Sequence, residues 1–257
     1  IFNIPKQLIT DYPFDNNYLD SGTSKVHSVL KDNAGNLWIA IYQKGVMMIP
    51  AQPNSFKYIG YKSINKNIIG SNCITSLCRD HEGILWIGTD NDGIYGITTE
   101  LKQRVHYAPH DSPSSVPSTV FGLYEDSERN LWFGSYTNGL GRLDKKTGQC
   151  SYLQNLTDKH GNRIQRVYDL VEDQDKRLWI ATMGAGLFYY DLKTGQSVYD
   201  PKFNAATEKY KWISCLLYAG DNHLYVGTYD GIRCIDLSTD DFKTEEILSR
   251  HIIHSLY

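Results

Sequence analysis

The chain has 257 residues, 41% of them hydrophobic and 21% charged, with a formal net charge of −3. That is an ordinary globular composition, and the slight negative charge carries no nucleic-acid signature. Among these residues nothing reads as a signal peptide, and no run is long and apolar enough to span a bilayer.

Taken in chain order, residues 1–25 open with Ile1-Phe2-Asn3-Ile4-Pro5, which matches Val46-Met47-Met48-Ile49-Pro50 further on. They are expected to supply the last two strands of a partial unit and a loop rich in Asp, Asn and Tyr. The first full unit spans about 26–61. It sets Val26 and Val29 around Ser28, then gives Asp32, Gly35-Asn36-Leu37-Trp38-Ile39-Ala40, Gly45 and the apolar run Val46–Ile49. The second unit, about 74–107, repeats this order with Ser76, Asp80, Trp86 and Gly93. A third, about 120–153, has Gly122, Asp126, Trp132 and Gly139, and a fourth, about 167–199, has Asp169, Asp173, Trp179 and Gly186. The fifth, about 213–246, departs from the pattern: Ala219 replaces the acid, Tyr225 replaces the Trp, and Gly231 comes one residue early. Ile253-His254-Ser255-Leu256-Tyr257 echoes Val26-His27-Ser28-Val29-Leu30, so about 252–257 starts another unit.

A period of 46–48 residues between the anchor aromatics is the mark of a repeat architecture. The apolar runs are short, rich in β-branched and aromatic residues, and bounded by Gly, Asn and Asp, so they read as strands. Segments of the Asp-x-x-Gly-Asn type suit tight hairpins, because Gly and Asn tolerate positive φ and Asp bonds its own turn. Four strands fit in each unit, and no segment of ten or more residues keeps a helical period. The fold class is therefore all-β: a β-propeller of four-stranded antiparallel blades, with about five full repeats plus partial blades, over 1–257. Ends that fall inside blades mark an excerpt, expected to be part of a seven-bladed propeller. The Trp strand is apolar on both faces, as it must be if each blade is sandwiched between neighbours. The anchor aromatics read as blade-to-blade core.

The repeat-equivalent Asp32, Asp80, Asp126 and Asp173 read as turn caps. Asp169 breaks the repeat on the innermost strand and, if buried, needs a partner. The eight histidines show no metal-ligand spacing. Five cysteines, an odd number without Cys-x-x-Cys, point away from zinc, and Cys78, Cys215 and Cys234 read as small buried hydrophobes. No cofactor, metal or catalytic residue is expected.

The string Asp-x-x-Gly-Asn-Leu-Trp-Ile-Gly-Thr followed by Gly-Leu/Ile-x-x-x-Asp resembles the two-component regulator propeller repeat. Arg79–Thr98 and Glu125–Asp144 are the closest copies, and the loop His110-Asp111-Ser112-Pro113 to Ser118 is similar to that family too. The resemblance implies the periplasmic sensor region of a Bacteroidetes hybrid two-component system, attached to an inner-membrane histidine kinase. It also implies an oligosaccharide ligand, with a second propeller and a β-sandwich of the same parent chain as partners. The membrane would be reached only through other parts of that parent. A homodimer stays open as a further arrangement, and nucleic acid is not expected.

In a four-stranded blade the inter-blade loop and the second hairpin lie at the same end, and loops of this length are often functional. The candidate ligand-binding residues there are Tyr42, Lys44, Asp92, Tyr136, Asn138, Arg163, Arg166, Lys211, Trp212 and Tyr229. Aromatics would carry sugar C–H faces, amides and acids would take hydroxyls, and the basic residues suit a carboxylated or sulfated ligand. A propeller-fold lyase is the enzyme alternative, and a pure interaction scaffold a third reading.

Overall fold

The structure, a computed structural model, describes residues 2–3, 8–9, 25–43, 45–49, 51, 69–98, 102–158, 160–199, 204, 211–239 and 242–257. Contacts group the chain into two compact units, 1–70 and 71–257. In the first, β1 (Phe2–Asn3) pairs antiparallel with β2 (Leu8–Ile9). A separate sheet runs β3 (Val26–Lys31), β4 (Leu37–Ile41), β5 (Gly45–Ile49). Its expected fourth strand at 56–61 lies outside the described residues.

The second unit holds four sheets, each a four-stranded antiparallel meander in chain order. One is β6 (Ile74–Arg79), β7 (Leu85–Thr89), β8 (Ile94–Ile97) and β9 (Gln103–Tyr107). The next is β10 (Val120–Glu125), β11 (Leu131–Ser135), β12 (Leu140–Leu143) and β13 (Cys150–Tyr152). Then come β14 (Val167–Glu172), β15 (Arg177–Thr182), β16 (Leu187–Asp191) and β17 (Gln196–Tyr199). Last are β18 (Ile213–Tyr218), β19 (His223–Thr228), β20 (Gly231–Asp236) and β21 (Thr244–Ser249). The first strands β6, β10, β14 and β18 lie against one another in succession. Meanders joined through their innermost strands are propeller blades.

Both faces of the Trp strand are buried, as the sequence pattern requires: all five residues of β11 are buried. Between the β6–β9 and β10–β13 blades the core is built on Trp86, Ile94, Leu123, Leu131 and Phe133. Trp132, Leu170, Leu178, Ile180 and Phe188 fill the next seam, and Trp179, Leu216, Leu224 and Val226 the one after. In the first unit Trp38 is 40% exposed, unlike its three counterparts.

The small residue after the anchor sets how closely blades approach. A Cβ at Gly134 would lie 2.5 Å from the Val167 carbonyl oxygen of the next blade. Alanine occupies the same position at Ala181, fully buried.

The repeated aspartates do more than cap a turn. In Asp80, Oδ1 accepts from the Glu82 and Ile84 amides at 3.0 and 2.9 Å, while Oδ2 accepts from the Trp86 indole at 2.8 Å. The same indole bond is made by Asp126 to Trp132 at 2.7 Å, by Asp173 to Trp179 at 2.7 Å and by Asp32 to Trp38 at 2.9 Å. One carboxylate thus satisfies the hairpin backbone and the one polar atom of the buried indole. In the β18–β21 blade Ala219 stands for the acid and Tyr225 for the Trp, so the carboxylate–indole bond has no counterpart there.

Candidate ligand-binding rim

The innermost strand of every blade carries one extra residue. Val167 pairs with Thr182 and Asp169 with Ala181, which leaves Tyr168 unmatched. The same slip isolates His27, Thr75 and Ser214, and in the third blade Phe121 and Gly122 together oppose Gly134. A bulge bends its strand and re-aims a side chain, and bulges concentrate beside functional sites. All five lie at the end of the blade that carries the inter-blade loops.

Where the bulged residue is small, it ties blades together. The Thr75 hydroxyl donates to the Val120 carbonyl, and the Ser214 hydroxyl donates to the Ile253 carbonyl. Where it is aromatic, it builds a surface. Phe121 stacks on Tyr168 of the next blade with ring centroids 4.2 Å apart, and Tyr136 meets Phe121 edge-on at 6.0 Å. The Arg166 guanidinium lies 5.2 Å from the Tyr136 ring centre. Trp212 and Tyr229 stack at 5.9 Å. Burial pushes the Tyr168 phenol above its usual range; Tyr229, Tyr136 and Asp90 add to this and Arg166 opposes it. These groups therefore share one neighbourhood across three blades. Tyr136, Trp212 and Tyr229 stay 43%, 39% and 43% exposed, an uncommon concentration of open aromatic surface.

Beside this shelf lies a cavity of about 290 Å³. The loop carrying Asp158, Arg163 and Arg166 forms one wall, and the hairpin Thr182–Ala185 the other. The hairpin is held by its backbone: Met183 donates to the Arg166 carbonyl at 3.0 Å and Gly184 to the Lys211 carbonyl at 2.7 Å. Neither Arg163 nor Arg166 makes an ion pair among the described residues.

Of the ten residues expected from sequence, Tyr136, Arg166, Trp212 and Tyr229 come together here. Arg163 and Asn138 flank them, the guanidinium donating to the Asn138 carbonyl at 3.2 Å. Lys211 contributes its carbonyl to the hairpin, accepting from Gly184 and Gly186. Asp92 turns back on its own blade, where it accepts from the Tyr95 hydroxyl at 2.5 Å and faces His106 at 3.4 Å. Tyr42 belongs to the first unit, where it stacks on its bulge residue His27 at 5.4 Å. Lys44 lies outside the described residues. Sequence reasoning missed Phe121 and Tyr168. The available signal was the variable position between two fixed ones: Val-His-Ser, Ile-Thr-Ser, Val-Phe-Gly, Val-Tyr-Asp and Ile-Ser-Cys.

Asp169, beside this rim, accepts from its own strand at the Leu170 amide, 2.9 Å, and from the next blade at the Leu216 amide, 2.8 Å. Burial raises its carboxyl to about 6 against those two bonds.

Residues 68–91, 114–137 and 163–184 each match the two component regulator propeller family. Those three segments are similar to the repeat of that family. Each matched segment leads into, or runs through, an innermost strand and the Trp strand that follows it. Among solved structures, the chain resembles the extracellular domain of BT3049 from B. thetaiotaomicron, described as a putative hybrid two-component system. That match has a TM-score of 0.69 and 21% identity over 90% of this chain and 30% of the other. The extracellular domain of BT4673 from the same organism gives 0.57 and 17% over 88% and 31%. The Cps50 (Swd1) β-propeller domain from Myceliophteria thermophila gives 0.50 and 18% over 72% and 58%. The chain spans about a third of the length of the first two. No curated protein matches it.

Proposed function

We propose that this chain is the ligand-recognising propeller region of a periplasmic sensor in a hybrid two-component system. It binds an oligosaccharide at the aromatic rim, leaves it intact, and relays occupancy to a cytoplasmic histidine kinase of the parent protein. A second propeller and a β-sandwich of that parent are its structural partners. The observation that carries this reading is the shelf of Phe121, Tyr136, Tyr168, Trp212 and Tyr229 beside Arg166 and a sugar-sized cavity. Ring faces suit the C–H faces of pyranosides, and guanidinium forks without an ion pair suit a carboxylate or sulfate substituent. Support for the setting comes from the regulator propeller repeats and from neighbours that are extracellular domains.

The test is a thermal-shift screen against neutral and acidic oligosaccharides, with product analysis of each hit. A sensor gives a raised midpoint with intact ligand, because binding to the native state alone adds RT ln(1 + [L]/Kd) to stability. Tyr168→Ala and Trp212→Ala should each weaken binding about tenfold, with little effect on the midpoint of the free protein. Cleaved ligand would move the reading to a propeller-fold lyase. A failure of every glycan, with concentration-dependent self-association, would leave an interaction scaffold.

A further inference from the structure

At the opposite end of the β10–β13 blade lies a larger cleft of about 590 Å³, within the range of small-molecule sites. Its cations come from three separate pieces of chain. Arg129 stands in the β10–β11 hairpin, Arg142 on β12, and Lys145 and Lys146 in the β12–β13 hairpin. Lys145 is neutralised, with Glu125 at 2.5 Å and Asp80 at 3.3 Å. Arg129, Arg142 and Lys146 make no ion pair among the described residues. The cleft's one carboxylate, Asp144, is committed to its own turn: it accepts from the Lys146 and Thr147 amides at 2.8 and 3.1 Å.

The pairing of its hairpin cations sets this cleft apart from its counterpart one blade on. In the β14–β17 blade Lys176 and Arg177 are matched, while Lys193, the counterpart of Lys146, makes no ion pair among the described residues. Lys176 lies 3.6 Å from Glu172, and Arg177 bonds Asp173 at 2.6 Å and Asp175 at 3.1 Å. In the β10–β13 blade Asn130 replaces that arginine, and the guanidinium of Arg142 instead stands 6.0 Å over the Trp132 ring, its charge directed to no acid. Moreover, Arg129 holds φ at +71°, a left-handed conformation that disfavours any side chain. The preceding blades place Gly35 and Gly83 there, and the following blades Lys176 at +69° and Asn222 at +65°.

The geometry points to an oxyanion site: the cleft takes a small ligand bearing a phosphate or sulfate monoester, held by the forks of Arg129 and Arg142 with Lys146. Planar guanidinium groups match such oxygens bidentately. Like charges left unmatched around one cleft repel, and an oxyanion relieves that repulsion, so binding should weaken with ionic strength. Cys150 also lines the cleft, but burial pushes its thiol up to about 12, so it stands there as a wall and not as a nucleophile.

The experiment is isothermal titration calorimetry of the 257-residue chain in low-salt buffer free of phosphate and sulfate. The probes are glucose 6-phosphate, glucose 6-sulfate and glucose, with inorganic phosphate and sulfate as references. Either ester should bind at least tenfold tighter than glucose, and the tighter of the two names the source of the oxyanion. Arg142→Gln and Arg129→Gly should each weaken ester binding about tenfold or more, as expected for a lost charge-assisted bond. Arg129→Gly should at the same time hold or raise the thermal midpoint, since glycine is at ease at that φ. A structural role for Arg129 would lower it. Esters that bind no better than glucose, or that bind both variants as they bind the unaltered protein, would overturn the site. The second outcome would place the anion elsewhere, including at the aromatic rim.

Discussion

At the scale of single residues the carboxylates carry most of the specific physics. Asp126 holds its hairpin through Glu128 and Asn130 amides and the Trp132 indole together. Asp126→Ala should cost about 2–4 kcal/mol, because it orphans a buried indole N–H and two turn amides. Chemical denaturation measures this, and a loss below about 1 kcal/mol would show the clasp to be incidental. Asp169 behaves in the opposite sense to most acids. Its carboxyl is raised from 3.8 to about 6, so the folded protein binds that proton more tightly than the unfolded chain does. The associated stability is complete below about pH 4 and is lost as pH rises towards 6, by about 3 kcal/mol at most. Denaturation curves from pH 4 to 7 should therefore fall more steeply for the unaltered protein than for Asp169→Asn; parallel curves would sink the assignment. For Asp80, burial works to raise the carboxyl, but the Trp86 indole, the Ile84 amide and Lys145 together hold it below its usual range. Its contribution is present above about pH 4 and disappears as pH falls further.

Elements show how far the sequence could be read. Repeat period, strand order and the buried Trp strand were all legible, because each blade writes the same instructions and a fixed pattern stands out from noise. The turn-capping aspartates were legible as turns. Their bond to the indole was not, since it joins residues six apart across a hairpin whose geometry no pattern states. The rim was half legible. Hairpin residues Tyr136 and Tyr229 and the inter-blade loop residue Trp212 follow from topology alone. Phe121 and Tyr168 sit inside strands that otherwise read as core, and only the bulge turns them outward. Asp92 shows the reverse error: a hairpin acid that looked available is spoken for by Tyr95 and His106. At this scale Gly134 is the most demanding position. Gly134→Ala would press a methyl group to 2.5 Å from a backbone carbonyl of the adjoining blade, which cannot yield as a side chain can. It should cost about 3 kcal/mol or more, whereas Ala181→Gly, at the equivalent position, should cost only about 1 kcal/mol. Equal effects in thermal unfolding would show that blade spacing is set elsewhere.

On the scale of the 71–257 unit, each blade speaks only to its neighbours. Apolar seams do most of the joining, and charged straps reinforce them: Glu125 accepts from the His81 amide at 2.7 Å, and its counterpart Glu172 accepts from the Ser127 amide at 2.6 Å. Stability in such a stack is a sum of blade and seam contributions. Strands with a seam on both sides should therefore open last. Hydrogen exchange should be slowest at β10, β11, β14 and β15 and fastest at β21, whose six residues are all exposed. Uniform protection across the four blades would contradict this. The bulges carry a last consequence. Thr75, Phe121, Tyr168 and Ser214 belong to none of the cores between blades, and paired backbone grips each from both sides. Such a residue can be exchanged without refolding anything beneath it. The rim is in effect a line of movable type on a fixed press: two hydroxyl letters fasten adjacent plates, two aromatic letters print the surface, and a new ligand needs only a resetting of single characters.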